Sequence, residues 1–255
     1  MLVSERRQRI IDILREKKSV TVTELRNEFG VSEETIRRDL LQLEQDKMLN
    51  RVYGGAYLGN IVQQTLPITL RKETCRDAKE IIADICGEMI DNGDTIMLDT
   101  STTAYYIAKT LKKRRNVTVI TNSLDTAHFL SSLDSINLIC AGGRLIGEFQ
   151  AFLDNSALKF MEGFYADKAF VSCTGISIQN GLTDSVVEQG NIRRVMLKNA
   201  QQRICIADDT KLGKTTLARI VPLDAIDCLV TNVRPSEVWL NELNSRKISC
   251  LYPES

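Results

Sequence analysis

Gly30-Val31-Ser32-Glu33-Glu34-Thr35-Ile36-Arg37-Arg38-Asp39-Leu40 is the stretch that decides the fold of the amino-terminal part. Val31-Ser32 introduces a helix predicted over residues 33–48, in which Ile36, Leu40 and Leu43 form one apolar stripe. The helix starts one tight turn after a shorter helix that ends at Gly30. Two helices joined in this way predict a helix-turn-helix.

The flanking residues complete a small domain over residues 1–58. Residues 4–17 predict a first helix with Ser4 as its N-cap, and Thr21 is placed to cap the second helix. Gly30 suits the left-handed position that ends a helix. Residues 49–58 alternate around Gly54-Gly55, a pattern that indicates a β-hairpin. The sum is a winged helix-turn-helix.

Such a unit predicts DNA binding, because the second of the paired helices enters the major groove and reads base edges with its first turns. Residues 1–58 hold 11 Lys/Arg against 10 Asp/Glu, so geometry rather than bulk charge has to present the arginines. The alternatives are an ordinary solvated helix face and a plain hairpin turn. The predicted DNA contacts are Ser32, Glu34, Thr35, Arg37 and Arg38, with Thr23 in the second helix and Arg51, Tyr53, Gly54 and Gly55 in the wing.

A larger domain is predicted over residues 76–255, after a linker at residues 59–75. Apolar bursts such as residues 95–98, 117–120 and 204–206 alternate with helical patterns, which indicates an α/β fold with a mostly parallel, doubly wound sheet. The sequence has no apolar run of about 18 residues and starts with charged residues, so we expect a cytoplasmic protein without a membrane partner.

The cysteine and histidine content argues against metal and disulfide chemistry. Seven widely spaced cysteines lack a C-x-x-C pair, so we expect reduced thiols. The single histidine, His128, has no histidine partner and is given no role. We therefore expect no metal site and no cofactor.

Three strand-to-helix turns of the larger domain carry residues suited to an anionic ligand. Hydroxyls and backbone N–H groups at a helix N-terminus favour an anion, and loops that follow parallel strands gather at one edge of the sheet. A plain helix cap is the alternative for the hydroxyl cluster, and a solvated charge is the alternative for Glu188. The predicted effector contacts are Asp99, Thr100, Ser101, Thr102 and Thr103, then Thr121, Asn122, Ser123, Gly142 and Gly143, then Gly175, Glu188 and Lys211.

The sequence closely resembles the DeoR family of bacterial transcriptional regulators. The resemblance rests on residues 6–10, 30–40 and 51–56, and it continues over residues 76 to about 233. It implies binding of operator DNA, usually as a repressor of sugar-metabolism genes. It also implies a sensing domain related in fold to ribose-5-phosphate isomerase, with a site for a phosphorylated sugar or polyol lined by the residues given above.

Three positions depart from the family pattern. The family usually has glycine at the positions of Ser101 and Asp154, and often an acidic or amide residue at that of Thr174. A carboxylate beside a phosphate weakens binding unless a cation offsets it. Asp154 therefore raises the expectation of an unusual or unphosphorylated effector.

Two other functions compete with that of an effector-controlled regulator. A phosphosugar isomerase needs an ordered acid–base pair, and Thr174 stands where that pattern would place a carboxylate. The amino-terminal domain would also have no purpose in such an enzyme. A DNA-binding protein whose large domain only forms oligomers is the second alternative. The favoured prediction is a homo-oligomeric, dimeric or tetrameric repressor of carbohydrate-metabolism genes that is not an enzyme.

Overall fold

The computed structural model describes residues 2–52, 54–58 and 68–253. Contacts within the chain divide it into two compact units, Met1–Arg76 and Asp77–Ser255. Each unit has its own hydrophobic core.

The smaller unit is a winged helix-turn-helix, as the sequence predicts. Its core packs the apolar faces of the three helices around Ile10, Leu14, Ile36 and Leu40. The elements are α1 (Val3–Lys17), β1 (Ser19–Thr21), α2 (Val22–Phe29), α3 (Glu33–Gln45), β2 (Asn50–Val52), β3 (Gly55–Tyr57) and α4 (Ile68–Glu73).

The predicted helix ends are partly correct. Thr21 caps α2, with its hydroxyl accepting from the Glu24 N–H at 3.0 Å, and Gly30 ends α2 in the left-handed region at φ 64°. The prediction of Ser4 as a cap is wrong, because α1 begins at Val3 and Leu2 is its N-cap residue. The third helix ends at Gln45, three residues before the predicted end.

Two elements of this unit escape the sequence patterns. β1 pairs antiparallel with β3, which makes the wing a three-stranded sheet in the order β1-β3-β2. Residues 59–67 of the predicted linker lie outside the described residues. Residues 68–73 were predicted to be linker, but they form α4, whose Leu70 is fully buried. The burial of Leu70 stabilises this short helix through tertiary packing.

The larger unit is built on a seven-stranded parallel sheet, again as predicted. The strand order is β15-β14-β12-β9-β4-β5-β6. Its strands are β4 (Thr95–Leu98), β5 (Val117–Thr121), β6 (Ile136–Cys140), β9 (Ala166–Ser172), β12 (Ala200–Ile206), β14 (Cys228–Val230) and β15 (Ser249–Leu251). Its helices are α5 (Arg76–Glu88), α6 (Thr102–Thr110), α7 (Leu124–Leu130), α8 (Asn155–Glu162), α9 (Val187–Lys198) and α10 (Glu237–Ser245).

The strand order reverses direction at β4. From β4 the chain adds β5 and β6 on one side, then crosses to place β9, β12, β14 and β15 on the other side. A crevice opens at such a reversal, at the carboxyl ends of the strands, and it is the usual ligand position in open α/β sheets. Two hydrophobic clusters, one including Met97 and Val171 and the other Leu98 and Phe170, cover the two faces of the sheet.

Smaller antiparallel sheets complete this unit. β10 (Gly175–Ser177), β11 (Gly181–Asp184) and β13 (Ala218–Val221) form one, and β7 (Leu145–Ile146) pairs with β8 (Ala151–Phe152). All seven cysteines are free thiols. Within the described ranges, no helix has the length and apolarity to cross a bilayer, and no three potential ligands cluster as a metal site would require.

Candidate functional site

The helix α3 presents its first turn to solvent. Ser32 caps the helix, and its hydroxyl accepts from the Thr35 N–H at 3.2 Å. Glu34 and Arg38 are exposed, and Arg37 lies 3.4 Å from Glu33 in an exposed ion pair. The polar residues predicted to contact DNA on α3 therefore lie on its accessible surface.

A buried carboxylate fixes α3 against α1. Asp39 Oδ2 accepts from Arg6 Nε at 2.6 Å, and Asp39 Oδ1 accepts from Arg7 Nε at 2.9 Å. The Asp39 side chain is only 3% exposed, so two arginines compensate one buried charge. This cluster is not among the predicted functional residues. The sequence signal that could have indicated it is an acidic residue, Asp39, beside the apolar stripe of α3.

The wing residues have partners within the smaller unit. Arg51 Nε lies 3.1 Å from Glu44 Oε2 on α3, and its backbone N–H donates to Glu44 Oε1 at 3.2 Å. A Cβ at Gly54 would lie 2.7 Å from Glu73 Cβ, and one at Gly55 would lie 2.2 Å from the Val20 carbonyl. The two glycines thus permit close packing inside the unit.

The other predicted contacts of this unit are placed as follows. Thr23 is exposed in the first turn of α2. Tyr53 lies outside the described residues. The roles of Tyr53, Gly54 and Gly55 toward DNA stay predictions.

In the larger unit, Asp99 lies at the carboxyl end of β4, where the strand order reverses. Its Oδ1 accepts from the Ser101 N–H at 3.0 Å, and its Oδ2 accepts from the Ser172 N–H, also at 3.0 Å. Arg193 Nε donates to the same Oδ2 at 2.7 Å. These three donors fix the carboxylate in the loop, and contact of Asp99 with an effector stays a prediction.

Arg193 and Asp184 are site residues that the sequence analysis missed. Arg193 projects from α9 and donates to Asp184 as well as to Asp99, and all three side chains are at most 7% exposed. Arg193 therefore bridges two buried carboxylates that are far apart in sequence. An arginine on a helix otherwise carries no local sign of such a role.

The hydroxyl turn predicted after β4 begins α6. Ser101 is the N-cap, and its hydroxyl accepts from the Ala104 N–H at 3.0 Å. Thr100, Thr102 and Thr103 are buried beside it. Ser101 is therefore a helix cap, and the contact of this turn with an effector stays a prediction.

The turn after β5 lies next to it. Thr121 Oγ1 donates to the Leu98 carbonyl at 2.7 Å, which joins the two strand ends. Asn122 Nδ2 donates to the Phe152 carbonyl at 2.9 Å, whereas the buried Asn122 Oδ1 has no partner among the described residues. Ser123 caps α7 through the Thr126 N–H at 3.2 Å. An unpartnered buried amide oxygen is costly, so Asn122 has capacity for a ligand donor.

Asp154 and Gly143 form one tight contact. Asp154 is the N-cap of α8, and its Oδ1 accepts from the Ala157 N–H at 3.1 Å. A Cβ on Gly143, which has φ 124°, would lie 2.3 Å from that oxygen. The Ala157 N–H, followed by the Arg144 N–H and the Ser156 side chain, lowers the pKa of Asp154. The lowered pKa favours the carboxylate form, and this carboxylate lies at the N-terminus of α8.

Lys211 reaches the same crevice from the turn after β12. Its Nζ donates to Ser172 Oγ at 3.1 Å and lies 3.6 Å from Asp208 Oδ2. Burial raises the pKa of Asp208, but Lys211, Thr210 and Lys79 outweigh burial and leave the pKa lowered. Lys211 and Asp208 thus form a charged pair beside the Asp99 loop.

The remaining predicted residues have more peripheral positions. Gly142 and Gly143 are exposed after β6. Gly175 is buried in β10, where a Cβ would lie 2.7 Å from the Lys214 carbonyl, and Glu188 is exposed in the first turn of α9. Their contact with an effector stays a prediction.

Comparison with known families covers both units. The family described as the DeoR-like helix-turn-helix domain matches residues 6–61, and the DeoR C terminal sensor domain matches residues 74–233. The chain belongs to the DeoR family. It is a DNA-binding transcriptional regulator and not an enzyme, so the isomerase alternative is not favoured.

Several regulators are similar over nearly their whole length. The uncharacterized regulator YulB of Bacillus subtilis is 35% identical over 97% of this chain and 96% of its own. The repressor GlcR of the same organism is 32% identical, covering 100% and 98%. The glycerol-3-phosphate regulon repressor of Escherichia coli is 28% identical, covering 92% and 93%.

A solved structure also matches part of the chain. Ribose 5-phosphate isomerase A from Methanocaldococcus jannaschii aligns with 55% of each chain, at 17% identity and a TM-score of 0.42.

Proposed function

We propose that this DeoR-family protein represses genes of carbohydrate or polyol metabolism and is controlled by a phosphorylated sugar or polyol. The effector binds the crevice at the carboxyl ends of β4, β5 and β9. The regulator works in the cytoplasm as a homo-oligomer, and it requires no cofactor besides the effector.

The observation that carries the effector proposal is the polar cluster at the strand reversal. Thr102, Thr103 and Asn122 are each at most 7% exposed, although their side chains are polar. Lys211 adds a cation that lies 3.1 Å from Ser172 on the other side of β4. Hydroxyls, an amide, a helix N-terminus and a lysine together match the groups of a sugar phosphate.

Asp154 is compatible with an anionic effector. Its carboxylate accepts the Ala157 N–H and so serves the N-terminus of α8. A carboxylate compensated by a helix dipole repels a nearby phosphate less than a free one does. The names of related proteins agree with this class of effector, since one is the glycerol-3-phosphate regulon repressor.

The DNA proposal rests on the exposed residues in the N-terminal half of α3. Arg38 is exposed in the second turn, and the adjacent Asp39, about 100° around the helix from it, is buried and held by Arg6 and Arg7. The ion pair fixes the rotation of α3, so Arg38 is presented at a defined angle for a base edge or a phosphate.

Effector binding changes operator binding by shifting the populations of two arrangements of the oligomer that differ in operator affinity. A ligand that binds better to the arrangement with low operator affinity shifts the protein toward it. The size of the shift equals the difference in affinity between the two arrangements.

The decisive experiment combines operator selection with an effector screen. Full-length protein selects its operator from random-sequence DNA, and thermal unfolding is followed with glycerol 3-phosphate, pentose and hexose phosphates, the free sugars and inorganic phosphate. A ligand at a hundred times its Kd stabilises the protein by about 2.7 kcal/mol. We expect a phosphorylated compound to raise the melting temperature and change operator affinity.

Two variants separate the functions. Lys211→Met should abolish the thermal shift and leave operator affinity without ligand unchanged, whereas Lys214→Met, an exposed neighbour, should change neither. Arg38→Ala should leave the ligand-induced thermal shift unchanged and weaken operator binding. The loss should be roughly 1–3 kcal/mol if Arg38 reads a base. Absence of any shift over the whole panel would favour the effector-independent DNA-binding alternative.

A further inference from the structure

A lysine lies on the inward face of α5. The buried residues of this helix have the spacing of one helical stripe, and they are Lys79, Ile82, Ala83, Cys86 and Gly87. Lys79 is only 5% exposed, although lysine is almost never fully buried unless it is paired. The side chain is therefore enclosed by protein, at a position where the pattern of α5 predicts a hydrophobic residue.

The topology places Lys79 at the same edge of the sheet as the effector crevice. α5 ends at Glu88, and a short turn leads into β4 at Thr95. Ile82 of α5 and Leu98 of β4 lie in one hydrophobic cluster, so the helix packs on the sheet and runs opposite to the strand. The first turns of α5, which carry Lys79, then lie at the carboxyl ends of the parallel strands.

A second relationship fixes where α5 crosses the sheet. Burial, and after it the nearby Cys228 thiol, raise the pKa of Cys86, so the end of α5 lies beside the start of β14. Lys79 lies two turns earlier, roughly 10 Å along the helix. Ile204 of β12 is level with Cys228, and Asp208 lies roughly 13 Å further along that strand. Lys79 and Asp208 are therefore at a similar height above the strand ends.

The charge of Lys79 acts on Asp208. Burial raises the pKa of Asp208, but Lys211, Thr210 and Lys79 together lower it. The Asp208 side chain is 4% exposed, and Lys211 Nζ lies 3.6 Å from its Oδ2. Two lysines from different elements, α5 and the turn after β12, thus lie near one buried carboxylate.

Asp208 already has hydrogen-bond donors in its own turn. Its Oδ1 accepts from the Thr210 N–H at 3.1 Å and from the Thr210 hydroxyl. Lys211 supplies a positive charge from the same turn, and Lys79 adds another from a separate helix. A carboxylate between two lysines occupies the position that phosphate oxygens take in an anion site.

We infer that Lys79 and Lys211 form the anion subsite of the effector crevice, and that Asp208 is an internal counter-ion that competes with the phosphate group of the effector. Without effector, the carboxylate stabilises the two lysines. When a phosphate group binds, it takes the place of Asp208 beside them, and Asp208 keeps the donors of Thr210. The inference rests on the proposed function, because it assigns a place to the phosphate group of that effector.

A purely structural ion cluster is the competing explanation. Removal of Lys79 would then destabilise the folded protein without changing its affinity for phosphate. The two explanations also differ at Asp208. Loss of a structural carboxylate would leave phosphate affinity unchanged or lower, whereas loss of a competing carboxylate raises it, because a negative charge beside the phosphate is removed.

The test measures binding of inorganic phosphate by the full chain. Thermal unfolding is followed against phosphate concentration, with chloride at equal ionic strength as the reference, and the dependence gives the Kd. The variants are Lys79→Met, Lys79→Arg and Asp208→Asn. Lys113→Met is the matched control, because it removes an exposed lysine of the same unit, after α6.

Lys79→Met should weaken phosphate binding at least about tenfold, because it removes a positive charge from a buried site. Lys79→Arg should keep most of the affinity, since it keeps the charge. Asp208→Asn should tighten phosphate binding by about tenfold, even though the protein without phosphate is less stable. Lys113→Met should have the Kd of the wild type.

Three results would overturn the inference. They are a wild type that phosphate does not stabilise, equal Kd values for wild type and Lys79→Met, and unchanged or weaker phosphate binding by Asp208→Asn. If Lys79→Met does not fold, Lys79→Arg and Asp208→Asn decide the question, because a loss of folding cannot tighten binding.

A second arm separates the subsite from the proposed function. The sugar phosphates of the effector panel and the corresponding free sugars are added to wild type and Lys79→Met in the operator-binding assay. Operator release by a sugar phosphate that is equal in both proteins would support the proposed function and overturn the subsite. Phosphate binding as expected, without any effect of a sugar phosphate on operator binding, would support the subsite and contradict the proposed effector.

Discussion

Arg193 Nε lies 2.7 Å from Asp99 Oδ2, and this buried ion pair joins α9 to the loop that begins α6. Because Asp99 also accepts the N–H groups of Ser101 and Ser172, one carboxylate fixes both sides of the strand reversal. The effector crevice therefore depends on a residue of α9 that need not contact the ligand.

Removing the cation of this pair should destabilise the larger unit. Arg193→Met leaves Asp99 and Asp184 buried without their partner, and breaking a buried pair costs about 3–5 kcal/mol. Urea unfolding should show this loss. Lys198→Met, at an exposed position of the same helix, should have little effect. Equal stability of the two variants would mean that the network contributes nothing.

Asp39 should strengthen operator binding by fixing the rotation of α3. Asp39→Asn weakens the bonds to Arg6 and Arg7, so we expect a loss of about 3 kcal/mol in the stability of the smaller unit. Operator affinity should fall as α3 loses its fixed rotation. Asp12→Asn breaks an exposed pair with Arg15 and should cost less than about 0.5 kcal/mol. Full operator affinity in a measurably destabilised Asp39 variant would contradict the positioning role.

The two glycines after β6 should differ in their tolerance of alanine. Gly143 has φ 124° and faces Asp154 Oδ1, whereas a Cβ on Gly142 meets nothing within 4 Å. Gly143→Ala should cost about 1 kcal/mol or more, and Gly142→Ala should be close to neutral. Thermal unfolding of both variants measures the difference. A neutral Gly143→Ala would show that the loop moves freely away from α8.

Much of this fold is predictable because its signals are local. The cap at Thr21, the left-handed Gly30 and the apolar bursts of the parallel strands are set by neighbouring residues. β1 and α4 are not predictable in this way. Three residues of β1 are a strand only because β3 pairs with them, and α4 is held by the burial of Leu70.

The candidate site likewise has features set by neighbouring residues and features set by distant contacts. The turns at Ser101 and Ser123 follow from strand-to-helix spacing and occur as predicted. Asp99 is a predicted effector contact, and its partner Arg193, 94 residues away in sequence, is not indicated by any local pattern. Whether a carboxylate binds a ligand or supports a loop depends on such distant partners, which spacing does not encode.

Acid should destabilise the larger unit in part through Asp208. Its lowered pKa means that the folded state favours the carboxylate, so this stabilisation is complete above the unfolded pKa of about 3.9 and is lost as the pH falls through the folded pKa. Asp208→Asn should therefore be less stable than wild type at neutral pH, and the difference should shrink as the pH falls below about 4. Thermal unfolding across this range measures it. A constant difference would indicate that the charge is not the cause.

Arg51 should contribute to operator binding through charge, in competition with Glu44. In the structure its Nε lies 3.1 Å from Glu44 Oε2 in an exposed pair that contributes little to stability. If Arg51 neutralises one phosphate, Arg51→Ala should reduce the slope of log K against log salt by about 0.9. Glu44→Gln should tighten binding, because it frees Arg51 and removes a negative charge near DNA, while Glu16→Gln on α1 serves as the control. An unchanged salt slope in Arg51→Ala would place the wing arginine away from the DNA backbone.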